Sequence, residues 1–408
     1  MFFGAALGFA SSVTIVPLFV DTLTDSTALI GMIASFHVIG WQLPQLLTAH
    51  HVARLRRYKP LVLWMTLNER VPFFGLALVA WLATTLHREV ALALTFLLFG
   101  WHSLGGGFTA TAWQAMIGKL IPVERRGTFY GMQGAAGSLF SSIAVVLAGY
   151  LVLSLPYPAN FAACFLLAGI FMAISLYFLA QTREPESTIA AAIQPGNRNF
   201  AGHLTRILRD DSNLRRFLIA RALSQFGVMA FAFYTIYGVR RFDLDAGTAG
   251  MMAGVLTLAQ MAANPIIGWI GDHWGHRRVF ALGAAFATVS AVIVLIAPSL
   301  NWLYLAFALA GATSAIFWTS MMALTAEFGA EEDRPYYIGL VNTLVAPAAV
   351  IAPVIGGVLA DRFGFEATFL LAAVCGVVAV LVVLVTMRDP RRVEQTLPAP
   401  VHASTGLD

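Results

Sequence analysis

GWIGDHWGHRR, residues 268–278, sets an acid, two histidines, an arginine pair and spaced glycines between two long apolar runs. A chain that is 59% apolar and only 11% charged has few polar residues to place, so their concentration in one turn needs a reason. Shifting the sequence by 221 residues lays this stretch over LTAHHVARLRR, residues 47–57, with Pro265 on Pro44 and Arg277–Arg278 on Arg56–Arg57. A shift of 208 lays EDRPYYIG (332–339) on ERRGTFYG (124–131) and Gly357 on Gly149. Two nearly equal shifts that carry polar turns onto polar turns describe a chain built from two related halves.

Composition narrows the class. Soluble domains carry about 25% charged residues, whereas this chain of 408 residues has 11% and a mean hydropathy of +0.76. Its surface therefore faces lipid over much of its area. Cys164 and Cys375 both sit in apolar runs and read as packing residues, not as a disulfide or a metal pair. The net charge of +4 does not point to nucleic acid, because the basic residues are spread over many short turns.

Apolar runs long enough to cross a bilayer recur at 2–22, 28–50, 60–84, 90–118, 128–154, 160–180, 216–239, 248–271, 279–297, 302–326, 335–360 and 365–387. About 20 residues at 1.5 Å each cover the roughly 30 Å hydrocarbon core. Backbone polar groups in lipid must be satisfied within their own segment, so these are helices. The first run has no basic leader and its first charge is Asp21, which reads as a retained span and not a secretory signal. The expected fold is an all-α membrane protein with twelve transmembrane helices in two pseudo-symmetric six-helix bundles. The bundles fall at 1–180 and 216–387, with a linker at 181–215 and a tail at 388–408.

With both termini inside, the inner loops and tail hold 19 of the 25 lysines and arginines and the outer loops four. This bias predicts cytoplasmic termini in a cell inner membrane. In the linker, Phe200, Leu204, Ile207 and Leu208 mark one face of a short helix beside Arg206 and Arg209. Two readings are open for it: an amphipathic helix lying on an anionic leaflet, or a solvated linker. The segments REPES and QPGNRN before it read as flexible loop.

The chain resembles the major facilitator superfamily over nearly its whole length. Gly268, Asp272, Gly275, Arg277 and Arg278 match the family signature G-x-x-x-D-x-x-G-x-R/K-R/K. The family usually places its best copy between spans two and three, whereas here it lies between spans eight and nine. In the first copy Leu47, His51 and Arg54 stand in place of glycine, aspartate and glycine. The resemblance implies a secondary transporter that binds a small molecule near the midplane between its halves. Spans one, four, seven and ten then line the cavity, flanked by two, five, eight and eleven. It also implies that Asp272 meets the start of span five near Gly127 and Thr128 when the cytoplasmic side is closed. The polar turns holding Arg56, Arg57, Glu124, Arg126, Glu332 and Arg334 complete this gating motif. A carboxylate at a helix N-terminus gains roughly 0.3–1 kcal/mol at an exposed site, about 2 when partly buried. In the echo, His51 is expected to face Pro335 and to add little. Arg277 and Arg278 pair with acids of the neighbouring bundle or lie among headgroups. The plainer reading of the motif, that it fixes loop topology alone, stays beside the gating one.

Ionisable groups within a span are costly and so are candidates for function. Glu69 and Arg70 lie mid-span; helix neighbours point about 100° apart, so each needs a partner elsewhere. Glu69 is either a proton-coupling group or half of a structural pair. Arg221, near the inner end of its span, reads as a snorkelling anchor. His37, Trp41, Gln45 and Thr48 follow helical spacing, as do His102, Thr109 and Trp113, and Thr257, Gln260 and Asn264. With Gln225, Ser314 and Trp318 they form the candidate cavity residues, or else they bond between helices. Gly105–Gly107 are expected to permit bending.

Span five has Gly131, Gly134 and Gly137 but lacks the G-P pair of many family exporters, and P-x-x-G-G appears instead at Pro353, Gly356 and Gly357. No HExxH, Walker loop, G-x-S-x-G or cysteine–histidine cluster is present. Neither an enzyme activity, a cofactor nor a metal is therefore expected. The chain is expected to be a monomer in the lipid bilayer that carries a small organic solute, driven by an ion gradient, with protons implied by the resemblance. Efflux of lipophilic compounds and a transport-inactive receptor or scaffold are the rival functions.

Overall fold

The computed structural model describes residues 1–186, 200–243, 245–329 and 333–390. Glu332, the loop segment QPGNRN and most of the tail lie outside the described residues.

The first apolar run is divided into α1 (Phe2–Phe9) and α2 (Ile15–Asp21). Between them Ser11 Oγ accepts from Val13 N at 3.3 Å and Thr14 N at 3.2 Å. A serine hydroxyl that takes nearby N–H groups competes with the helix ladder. The second run gives α3 (Thr27–Gln42) and α4 (Gln45–Val52), separated at Pro44, which has no N–H to continue the ladder. The third gives α5 (Lys59–Met65) and α6 (Leu67–Trp81), parted at Thr66. Then follow α7 (Arg88–Leu120), α8 (Arg126–Ser154) and α9 (Ala159–Ala180).

The linker helix is α10 (Phe200–Asp210). The seventh run comprises α11 (Ser212–Val228), a 3-10 stretch at Met229–Phe233 and α12 (Tyr234–Phe242). The remaining helices are α13 (Ala246–Trp274), α14 (His276–Ile296), α15 (Asn301–Thr325), α16 (Arg334–Phe363) and α17 (Phe365–Leu381), the last running into a π-helical turn at Val382–Thr386. Asp245 caps α13, accepting from Thr248 N at 2.9 Å and Thr248 Oγ1 at 2.7 Å. Those bonds hold its carboxyl below the usual range.

Among the described residues, ten helical stretches are long and apolar enough to cross a membrane. The first two runs of the sequence fall short of that only because each is divided. Every expected span is thus helical, but the first three are each divided into two α-helices and the seventh is interrupted by a 3-10 stretch.

Each half has its own core. Phe19, Phe73, Leu76 and Phe165 are buried in the first, and Tyr234, Phe307 and Phe369 in the second. Two further clusters join the halves at the end of the bundle that bears the linker. One sets Ala49 and Ala53 of α4 against Phe217 and Leu340; the other sets Val52, Val62 and Met116 against Met322 and Ile338. Lipid tails are as apolar as leucine, so such contacts hold by close packing and hydrogen bonding more than by exclusion of water.

The linker helix turns its apolar face to the bundle and is not a free solvated segment. Ile207 is buried, and Phe200, Leu204 and Leu208 pack on the joint cluster. The Phe200 ring lies 5.5 Å from His50 of α4 and 6.3 Å from Tyr336 of α16. Glu184, just past α9, is also tied down: it accepts from Tyr58 N at 2.9 Å and Lys59 N at 2.6 Å and pairs with Lys119 at 3.2 Å. It satisfies the free N–H groups at the start of α5, so REPES begins as a strap and not as a loose loop.

Candidate functional site

A cavity of about 710 Å³ lies between the halves. Trp41, Glu69, Thr109 and Trp113 of the first half line it, with Gln260, Asn264 and Trp318 of the second. Glu69 and Arg70 are the only acidic and basic side chains among its lining residues.

The two charges pair with each other, contrary to the expectation of separate partners. Arg70 Nη1 lies 3.3 Å from Glu69 Oε2, and Thr66 Oγ1 donates to the same oxygen at 3.3 Å. The break between α5 and α6 places Glu69 in the first turn of α6, where its carboxylate folds back toward Thr66. Arg70 also donates to Met172 O at 3.2 Å, to Thr66 O at 3.2 Å and to Thr66 Oγ1. The guanidinium is thus held through Nε and Nη1, and as an ion pair the two residues bring no net charge to the cavity.

Gly105–Gly107 do not interrupt their helix; α7 runs unbroken for 33 residues. They let three helices meet. A Cβ on Gly105 would strike the backbone of Asn68, one on Gly106 would crowd Glu69 Oε1, and one on Gly107 would overlap Gly40 O.

Several expected cavity residues lie elsewhere. His37, Gln45, His102 and Gln225 are absent from the lining. His102 Nδ1 donates to Glu69 O at 2.7 Å, which fixes the proton on that nitrogen because a carbonyl only accepts. The His37 ring stacks on His102 at 5.9 Å. The hydroxyls of Thr48, Thr257 and Ser314 bond to carbonyls of their own helices.

Toward the linker end the cavity closes in layers. Where the halves meet, Trp41 and Trp318, one from each half, form its floor with ring centroids 6.1 Å apart, while on the first-half side the lining continues to Ile121 and Thr182. One helical turn further, Asn342 Nδ2 donates to Gln45 Oε1 at 2.6 Å, while Gln45 Nε2 donates to Trp41 O at 2.9 Å. Arg221 belongs to this layer and is no anchor at the surface. It is 2% exposed and donates to Asn342 Oδ1 at 3.1 Å, to Val341 O at 3.3 Å and to Met321 Sδ. Sequence periodicity gave no sign of this, because Arg221 is a single charge whose direction depends on how α11 is rotated.

The outermost layer is the stretch at 268–278. Asp272 Oδ1 accepts from Gly127 N, and Oδ2 from Thr128 N and Thr128 Oγ1, each at 2.7 Å. The carboxylate thus sits on the N-terminus of α8, where free N–H groups and the helix dipole favour negative charge. Close approach makes this reachable: a Cβ on Gly268 would overlap Gly127 O. Gly275 has φ +89°, in the region that favours glycine. His276, singled out for no role in the sequence, is fully buried beneath the carboxylate, with Nε2 3.3 Å from Asp272 Oδ1.

The other gating candidates behave differently from expectation. Arg277 donates to Val383 O at 3.0 Å and Leu384 O at 2.6 Å, not to an acid, and Arg278 is exposed. Arg126 donates to Gly118 O and Ile121 O, and crosses to Ala326 O of the second half at 3.1 Å. Arg334 lies against Gly118. Glu124 is exposed, Arg57 pairs with Glu186 at 3.0 Å, and Arg56 O accepts from Lys119. In the echo, His51 is exposed, and it is His50 whose Nδ1 meets Tyr336 OH of the other half at 2.8 Å. His203 of the linker helix adds a bond to Asp333 at 3.0 Å.

At the other end the halves diverge. On α8, Gly127, Gly131 and Gly134 all face α13, but a Cβ on Gly137 meets nothing within 4 Å, nor does one on Gly254 or Gly250 of α13.

Two helical halves around a shared cavity, closed at one end and parted at the other, define a polytopic membrane protein of the two-bundle type. The family model for the Major Facilitator Superfamily matches residues 1–244 and again 217–405. The chain belongs to that superfamily. It is 27% identical over 148 residues to multidrug resistance protein 1 of Bacillus subtilis, covering 36% of this chain and 38% of that protein. It is 28% identical over 179 residues to a Na(+), Li(+), K(+)/H(+) antiporter of Planococcus maritimus, covering 42% of this chain and 40% of that one. The aligned segments thus span about two fifths of these relatives' length. Among solved structures, the E. coli fucose:proton symporter matches with a TM-score of 0.75 at 17% identity over 94% of this chain and 95% of that chain. The same symporter in its outward conformation matches with a TM-score of 0.74 at 16% identity, over 94% and 95%.

Proposed function

We propose that this protein carries a small organic solute across a cell inner membrane by alternating access, as a monomer with both termini cytoplasmic. The carrying observation is a cavity lined by both halves together with the polar layers that join the halves at the linker end. In each polar layer of that closure at least one bond joins the halves, Asn342 to Gln45 in one and Gly127 and Thr128 to Asp272 in the other, so parting the halves there opens the cavity to the linker side. The positive charge gathered in the loops on the linker side supports a cytoplasmic linker end, which makes the present state open to the outside.

The chain has no nucleotide-binding loop, so transport against a gradient draws on an ion. The symporter and the antiporter among its relatives both name the proton, and Glu69 is the carboxyl placed to bind one inside the cavity. Efflux of lipophilic compounds is the second reading. It is favoured by the three tryptophans in the cavity lining and by the likeness to the Bacillus multidrug resistance protein.

The test is accumulation in proteoliposomes under an imposed proton gradient, with solutes spanning sugars, amino acids, organic acids and lipophilic dyes. Carrier function predicts accumulation of one class that collapses with a protonophore. A protein shown to be folded that moves none of them would be a receptor or scaffold instead.

A further inference from the structure

Arg221 is a buried guanidinium without a counter-ion. No ion pair among the described residues includes it, and its recorded acceptors are an amide oxygen, a carbonyl and a thioether. Desolvating a cation against neutral acceptors alone is expensive, and a charge inside the bilayer is retained where it serves a solute or ion path. Its position supplies the path. Trp318 and Met321 are one turn apart on α15, as are Trp41 and Gln45 on the other half, so Arg221 lies one turn beyond the cavity floor. Its cover there is Asn342, which at the same time holds Gln45 across the halves at 2.6 Å. When α4 and α16 part, that bond breaks and the guanidinium faces the opening. In the cavity, Glu69 and Arg70 cancel. Within the cavity and the layer beneath its floor, the charge left uncompensated among the described residues is then that of Arg221.

We propose that Arg221 is the anion-binding group of the linker-open state and that the solute is a singly charged organic anion of the carboxylate class. This rests on the carrier reading and narrows it. A carboxylate crossing the tryptophan floor meets two parallel N–H donors of a planar fork, the geometry in which arginine surpasses lysine.

Three probes of one shape and different charge test it: benzoate, benzamide and benzamidine, titrated against the purified full chain with thermal stability as the readout. The expected result is saturable stabilisation by benzoate, with binding at least tenfold tighter than that of benzamide or benzamidine. Arg221→Gln brings benzoate down to the level of benzamide, and Arg221→Lys restores part of the difference. Because the site belongs to the linker-open state, Asp272→Asn tightens benzoate about as much as it favours opening, and does so only while Arg221 is present. Size-exclusion profiles of the variants separate misfolding from lost binding, and the Asp272→Asn measurement needs no change at Arg221. Equal binding of the three probes, or a benzoate preference that survives Arg221→Gln, overturns the anion site while leaving the carrier reading intact. Binding of none of them overturns the anion site too, and accumulation in proteoliposomes then judges the carrier by itself.

Discussion

Asp272 concentrates much of the closure in one side chain: two backbone N–H groups and a hydroxyl at 2.7 Å, at a helix N-terminus. Asp272→Asn keeps the shape, removes the charge and leaves one oxygen where there were two. Charge-assisted bonds are worth about 1.5–3 kcal/mol. A loss of roughly 2 kcal/mol moves the closed-to-open ratio by about thirtyfold. Distances between spin labels across the linker end are the measurement, and they should lengthen in a large share of molecules; an unchanged distribution would leave the motif a topological role only. Glu69 is tested separately. Glu69→Gln retains the Thr66 contact but cannot bind and release a proton, so gradient-driven accumulation should vanish while solute exchange at equal pH persists. If accumulation survives, Glu69 is the structural partner of Arg70 and coupling resides elsewhere.

At the scale of elements, α10 bridges the halves through Phe200, which touches His50 and Tyr336, and through buried Ile207. Ile207→Asp places a charge in that joint cluster. Amide exchange across residues 200–210 should then quicken by at least tenfold while the cores of both halves keep their protection; exchange that stays slow would mean that the bonds of α10 to α11 and Asp333 suffice. Much at this scale was legible in the sequence. Apolar runs gave the helices, the repeat gave the halves, and the family resemblance carried by Gly268, Asp272 and Gly275 implied a carboxylate at the end of α13 and a start of α8 to receive it. Three kinds of feature were not legible. The divisions near Ser11, at Pro44 and at Thr66 depend on side chains that compete with the helix ladder or lack an N–H, and an apolar run of the right length hides them. Helix rotation, which turns Arg221 inward and puts His50 where His51 was expected, is set by neighbouring helices and not by period. The glycines at 105–107 read as a flexible point, yet only packed neighbours reveal that they are a crossing point.

For the whole molecule, the seal at the linker end is the moving part. Leu46 N and Thr343 Oγ1 lie 3.2 Å apart across the halves. Cysteines at both positions, with Cys164 and Cys375 replaced by alanine, should cross-link on oxidation and stop solute movement, and reduction should restore it. Transport that continues when cross-linked would mean that the halves need not separate there. The layered seal also has an electrical side. With the opposite end parted, these few side chains are all that stands between two aqueous compartments, and a carrier that cycles slowly spends most of its life as a standing plug. A hydronium ion pressing through that plug meets the fixed guanidinium of Arg221 in a medium that screens it poorly, and is turned back as cations are in other narrow pores. The same residue that waits for an anion thereby insulates the membrane. Replacing it with glutamine should show as a proton leak, visible as faster decay of a pH difference across vesicles that hold no solute at all.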